Sequence, residues 1–195
     1  MNENKPRKRN AWQAWFLAAF FLGPLAVAWV LYFDSDWRPG GMTNHGELVQ
    51  PAVPLPPAAL PTPEGDRLDP DFLHGHWTLI YVSVGPCEEA CRRALLDSRQ
   101  SRLALGRLMD RLQRVYLYTA DAPDPTFLAR EHPDLLAASL AGSEGALMLN
   151  ALPSREEGFW LVDPLGNAMM RYPPDAEPKG MLKDIKKLLR VSRIG

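Results

Sequence analysis

Hydrophobic positions fall along the chain in three regimes. Residues 11–33, AWQAWFLAAFFLGPLAVAWVLYF, are 23 positions without a charge. At ~1.5 Å of rise per residue they make about 35 Å of helix, enough to cross the ~30 Å hydrocarbon core of a bilayer with some tilt. Gly23 and Pro24 predict a kink, which a membrane tolerates. From Arg38 to Pro70 the pattern dissolves. Eight of the 19 prolines lie there, several in PAVPLPPAALPTP, a composition that predicts an extended, semi-rigid spacer. Within it, residues 42–49 are less biased and are expected to pack on the domain. From Asp71 onward short apolar runs alternate with helical periodicity.

The first of those runs, Trp77–Val84, is β-branched, aromatic and nearly continuous in apolar residues, as a central strand is. Gly85 and Pro86 break it. A helical stretch is expected from Cys87 to about Arg114, with Leu105, Leu108, Met109 and Leu112 at helical spacing. Val115–Thr119 reads as a second strand and residues 121–125, DAPDP, as a loop. Thr126 to about Leu140 is expected to hold a helix interrupted near Pro133. Gly158–Val162 and Ala168–Tyr172 form a hairpin about the Asp163-Pro164-Leu165-Gly166 turn, with Pro and Gly at their favoured positions. The last helix starts near Pro178 and turns Met181, Leu182, Ile185, Leu188 and Leu189 inward. A parallel pair with a crossover, a hairpin and a covering helix define an α/β, thioredoxin-like order, β-α-β-α-β-β-α, behind an N-terminal transmembrane helix. The expected organisation is a basic tail (1–10), a transmembrane helix (11–33), a Pro-rich linker (34–70) and a thioredoxin-like domain (71–195).

Charge orients this arrangement. Lys5, Arg7, Lys8 and Arg9 precede the apolar run, and Asp34 and Asp36 come after it. The positive-inside rule puts the N-terminus in the cytoplasm and the rest across the membrane, with Trp12, Trp15, Trp29, Tyr32 and Trp37 near the interfaces. In a bacterial cell this is a single-pass inner-membrane protein with a periplasmic domain. A cleaved signal peptide is the competing reading, since Ala26-Val27-Ala28 resembles a cleavage box, but the run exceeds the ~7–15 residues of a signal core. A net charge of -1 gives no sign of a nucleic-acid binder.

Chemistry concentrates at the two cysteines, Cys87 and Cys91. They come directly after the first core strand and open the next helix, where free N–H groups and the helix dipole favour a thiolate. Such a sulfur is a nucleophile or a soft-metal ligand. Glu88 and Glu89 oppose the thiolate, while Arg92 and Arg93 favour it. The blander alternative is a pair of buried helix cysteines. His74 and His76 suggest a zinc set with them, but the intervening strand, at ~3.3 Å per residue, separates the two groups by some 25 Å. His132 lies on a segment emerging at the cysteine edge, within reach of it. His45 is unplaced. Met169 and Met170 are soft donors, but on a strand one of them faces the core.

The anchor, the strand leading into Cys87-Glu88-Glu89-Ala90-Cys91 and the later Phe159-Trp160-Leu161-Val162-Asp163-Pro164-Leu165-Gly166 together resemble the Sco/SenC family of membrane-anchored, thioredoxin-fold proteins. The likeness covers roughly Gly75 to Leu189. It implies a role in assembling the copper A centre of cytochrome c oxidase. The partner would be an oxidase subunit or another assembly factor. Cys87 and Cys91 would act either as Cu(I) ligands or as the catalytic pair of a thiol-disulfide oxidoreductase, copper being the one cofactor or cargo implied. The family's third copper ligand, a histidine about nine residues ahead of the turn proline, does not carry over: Arg155 stands there. Arg92 replaces the family's proline after the second cysteine. Two thiolates still suit Cu(I), but Cu(II) would lack its imidazole. The alternative is a non-catalytic thioredoxin-fold interaction protein that binds a respiratory-complex subunit. A peroxidase of related fold ranks below both, because Val84-Gly85-Pro86 stands where a Thr-x-x-Cys arrangement is needed.

Overall fold

The computed structural model describes residues 11–33, 44–120 and 124–195. The basic tail, the start of the spacer and the first residues of the DAPDP loop lie outside them. Two compact units divide between Thr43 and Asn44. The first contains helix α1, Ala11–Phe33, with Pro24 inside it. Taken over the described residues, which leave out side chains at both ends of α1, no helix is long and apolar enough to cross a membrane. An anchoring role for α1 therefore rests on its sequence.

The second unit is built on a six-stranded sheet. Its strands are β1 (Glu47–Pro54), β2 (Trp77–Ser83), β3 (Leu112–Tyr118), β4 (Leu135–Ser139), β5 (Gly158–Val162) and β6 (Asn167–Tyr172), in the order β1-β6-β5-β2-β3-β4. Strands β2, β3 and β4 are parallel, and β5 runs antiparallel to β2. β6 pairs antiparallel with β5, and β1 with β6. Around the sheet lie α2 (Glu89–Ala104), a 3-10 turn (Gly106–Arg111), α3 (Pro125–Glu131), α4 (Gly142–Ala151) and α5 (Pro178–Val191).

Strand alternation sorts the core into two layers. Leu79 and Tyr81 of β2, Tyr116 of β3, and Phe159 and Leu161 of β5 face α2 and α5, where Leu95, Met181, Ile185 and Leu189 cover them. Ile80, Val82, Val115, Leu117, Trp160 and Val162 face the other way. That second face is covered by Leu55, Ala58, Leu60, Phe72 and Leu73, and by Met148 of α4.

The covering segment corrects the expected linker. Residues 47–54 are a strand rather than spacer, and Leu60 is fully buried. Pro51 and Pro54 sit in an edge strand, whose outer N–H positions need no partner, and the register shifts between Leu48 and Val53. Entry to the strand is held by Asp184 of α5. Its carboxylate accepts from the His45 and Gly46 backbone N–H groups at 2.7 and 3.0 Å, and from the Tyr172 hydroxyl at 3.3 Å. His45, unplaced from sequence, lies 3.2 Å from the same carboxylate.

Two further expectations change. The first helix ends at Ala104, and β3 begins at Leu112 instead of Val115. The segment after α3 becomes strand β4, because Pro133 stops the helix and the β3 edge offers a parallel partner.

Candidate functional site

Strand β2 ends at Ser83, and Gly85, at φ +110°, turns the chain in a conformation that side chains resist. Pro86 and Cys87 come next, and α2 starts at Glu89. Cys87 therefore precedes the helix, and only Cys91 sits in its first turn. The extended Glu88 between them removes the need to unwind a helical turn before the sulfurs meet. They are joined as a disulfide, with Cα atoms 5.1 Å apart.

The two sulfurs have unequal surroundings. Cys87 is half-buried, and Val84 and Pro86 ahead of it in the chain are exposed. Cys91 is 4% exposed and packs into the α2/α5 layer. Its Sγ lies 3.4 Å from the Tyr116 hydroxyl. A disulfide sulfur carries no hydrogen, so Tyr116 is the donor wherever that contact is a hydrogen bond. The same hydroxyl is 2.9 Å from Ser83 Oγ. Tyr116 stacks on Tyr81 at 5.8 Å between ring centroids, and Tyr118 flanks it at 5.5 Å. Tyr81 donates to the Glu157 carboxylate, and burial together with that carboxylate pushes the phenol well above its ordinary pKa. Sequence reading did not single out Tyr116. Its signal was the polar-headed alternation Tyr116, Tyr118 in VYLYT beside Tyr81, Ser83 in IYVSV.

A second polar cluster lies further along the same layer. Arg114 of β3 is buried, 3.2 Å from Asp134, and also donates to Ser98 Oγ and the Leu95 carbonyl. Asp134 also pairs with Arg102 at 3.5 Å. His132, at the end of α3, packs edge-on against Phe127, which Arg92 covers at 4.9 Å. Burial and then the Arg114 charge lower the His132 pKa.

His132 lines a cleft of about 610 Å³ between α2 and α3 that neither cysteine lines. His74 packs on the Asp163–Gly166 turn and lies 3.6 Å from Asp71, at the opposite end of β2. Arg155 is exposed in the loop entering β5, whose Gly158 pairs with Val82, so that loop stands at the cysteine end of the sheet. Among the described residues no three His, Cys, Asp or Glu side chains converge on one point.

A strand, a glycine turn and a helix whose first turn carries the buried cysteine of a disulfide are the elements of a thioredoxin-fold domain. The model of a family described as "transmembrane-like, thioredoxin-like, C-terminal domain" matches residues 77–192, and the chain belongs to that family. No curated protein matches the sequence. Among solved structures, apo Sco1 from Thermus thermophilus is similar at 18% identity, over 76% of this chain and 99% of that one, with a TM-score of 0.63. Copper-bound yeast Sco1 is similar at 18% identity, over 72% and 94%, with a TM-score of 0.59. A thiol:disulfide interchange protein from Bacteroides sp. is similar at 12% identity, over 72% and 91%, with a TM-score of 0.54. The expected Sco-like thioredoxin fold is the fold of this domain.

Proposed function

We propose that the protein is a membrane-anchored thiol-disulfide exchange factor whose Cys87–Cys91 pair serves assembly of the copper A centre of cytochrome c oxidase. The observation that carries the exchange step is the asymmetry of the disulfide: one cysteine half-buried in the turn after β2, the other buried in the first turn of α2. In the reduced protein Cys87 attacks a client disulfide and releases one client thiolate. Cys91 then attacks Cys87, closes the pair and releases the second client thiolate. The two client cysteines end reduced, and a partner dithiol returns the pair to the thiol form.

The oxidase client comes from the resemblance to Sco/SenC proteins. Cu(I) as cargo is the second reading, favoured by the closeness of two thiol donors once the pair is reduced. Two soft ligands fit a monovalent soft ion. Arg155 in place of an imidazole, and the lack of a third His, Asp or Glu converging with the cysteines among the described residues, weigh toward exchange.

Support for anchoring is the make-up of α1. Its 23 residues are uncharged, and Trp12, Trp15, Phe16, Leu17, Phe20 and Phe21 are all more than 60% exposed. A helix apolar on all sides needs lipid or a protein interior around it. The flanking charges orient it with the N-terminus in the cytoplasm and the domain in the periplasm of a bacterial inner membrane. The chain is then organised as basic tail, anchor, short spacer and thioredoxin-fold domain.

The test is complementation. In cells lacking the chain, the wild type is expected to restore the copper A absorbance of the oxidase, and the Cys87→Ser, Cys91→Ser variant is not. Full rescue by that variant would instead establish a scaffold that binds a respiratory-complex subunit without using its sulfurs.

A further inference from the structure

Cys91 must lose a proton before it can close the pair, yet among the described residues no carboxylate or imidazole hydrogen-bonds to it. The polar contact it has is the Tyr116 hydroxyl, 3.4 Å from Sγ and in turn 2.9 Å from Ser83 Oγ. Cys91, Tyr116 and Ser83 are all at most 4% exposed. The Tyr116 ring is fixed between Tyr81 and Tyr118.

Resting on the exchange reading above, we propose that the Tyr116 hydroxyl, backed by Ser83, is the catalytic group that holds Cys91 as a thiolate for the resolving step. Two hydroxyls in series match either protonation state by reversing their hydrogens. With Cys91 protonated, its S–H donates to Tyr116 and Tyr116 donates to Ser83. With Cys91 ionised, Tyr116 donates to the sulfur and Ser83 donates to Tyr116. The Cys91 proton leaves to solvent, the thiolate electron pair forms the bond to Cys87 Sγ, and the Cys87–client bond breaks with its electrons on the client sulfur. Burial holds Tyr116 above the ordinary phenol pKa, so it stays a donor while the sulfur ionises. Hydrogen bonds to a charged group are the strong ones, and removing one is expected to raise the Cys91 thiol by about one pKa unit.

The experiment uses the full chain in detergent micelles. Cys91 is isolated in Cys87→Ser, and its thiolate absorbance is monitored against pH, with Cys87→Ser, Cys91→Ser as the blank for tyrosine. Adding Tyr116→Phe keeps the stacked ring and removes the oxygen. The expected result is a titration displaced upward by about one unit, roughly a tenfold loss of thiolate at a fixed pH below it. Ser83→Ala, which spares the tyrosine, is expected to displace it in the same direction by less. Coincident titrations for parent, Tyr116→Phe and Ser83→Ala would overturn the inference. In the two-cysteine chain, Tyr116→Phe is expected to release glutathione from a preformed Cys87 mixed disulfide about three- to fourfold more slowly, the smaller thiolate fraction being partly offset by the greater nucleophilicity of the more basic sulfur. A wild-type pair inert toward glutathione would reject the exchange reading separately, with the titration still deciding the hydrogen bond.

Discussion

The two faces of the central sheet are made from the same strands and do different work. On one face Ile80, Val82, Val115, Leu117, Trp160 and Val162 meet Leu55, Leu60 and Leu73, with aliphatic groups predominating. On the other, the alternate positions of β2 and β3 place Tyr81, Ser83, Arg114, Tyr116 and Tyr118 in the layer covered by α2, with Tyr116 against the disulfide. Period-two alternation therefore separates a face that supplies stability from one that carries polar chemistry within an equally buried layer. Buried hydroxyls and a buried guanidinium are costly unless paired, and each of those on the second face that enters the site has a partner.

The largest expected effect tests the aliphatic face. Leu60 is fully buried although it lies in the stretch that its prolines mark as spacer. Leu60→Ala is expected to cost about 2–5 kcal/mol in urea unfolding, as core truncations do, while leaving disulfide exchange unchanged. A change within the range of surface substitutions would mean that the segment does not cover the sheet.

Next comes the ion pair on the polar face. Asp134→Ala leaves the buried Arg114 without its carboxylate. The expected loss is about 3 kcal/mol, at the low end for a buried pair because Asp134 is itself 29% exposed. Replacing Arg114 and Asp134 together by apolar residues is expected to recover much of it.

The smallest effect is one of pH. His132 is kept neutral by burial and by the Arg114 and Arg99 charges, against the opposing pull of Asp134 and Glu131. Its folded pKa lies below the ordinary 6.5, so in the window between the two values the unfolded chain binds a proton that the folded chain does not. Its contribution is intact above that window and is lost as pH falls through it, at up to about 1.4 kcal/mol per pH unit. Unfolding midpoints measured across the window are expected to flatten in His132→Gln.

An element is legible in the sequence to the extent that its pattern is its own. β2, the β5–β6 hairpin and α5 are strongly patterned without help from their neighbours. The cysteines read correctly as lying at the strand-to-helix junction, but the helix begins after Cys87, a boundary set by Gly85 and the extended Glu88. β1 and β4 were not legible, because each is defined by its neighbour. Prolines in β1 read as spacer until β6 supplies a partner, and Leu-Leu-Ala-Ala in β4 suits a helix until it meets the edge of β3. Tyr116 was hidden for the same reason. Its contact with Cys91 joins it to a residue 25 positions earlier in the chain.

The unequal cysteines are the centre of the proposed exchange chemistry. The measurement is to equilibrate the full chain with glutathione buffers of graded ratio, trap the thiols and read the adducts by mass. Wild type is expected to show one reversible two-electron transition. Cys91→Ser is expected to accumulate a glutathione adduct on Cys87, and Cys87→Ser is expected to form little on buried Cys91. A disulfide that no ratio reduces, or equal adducts on the two single variants, would contradict it.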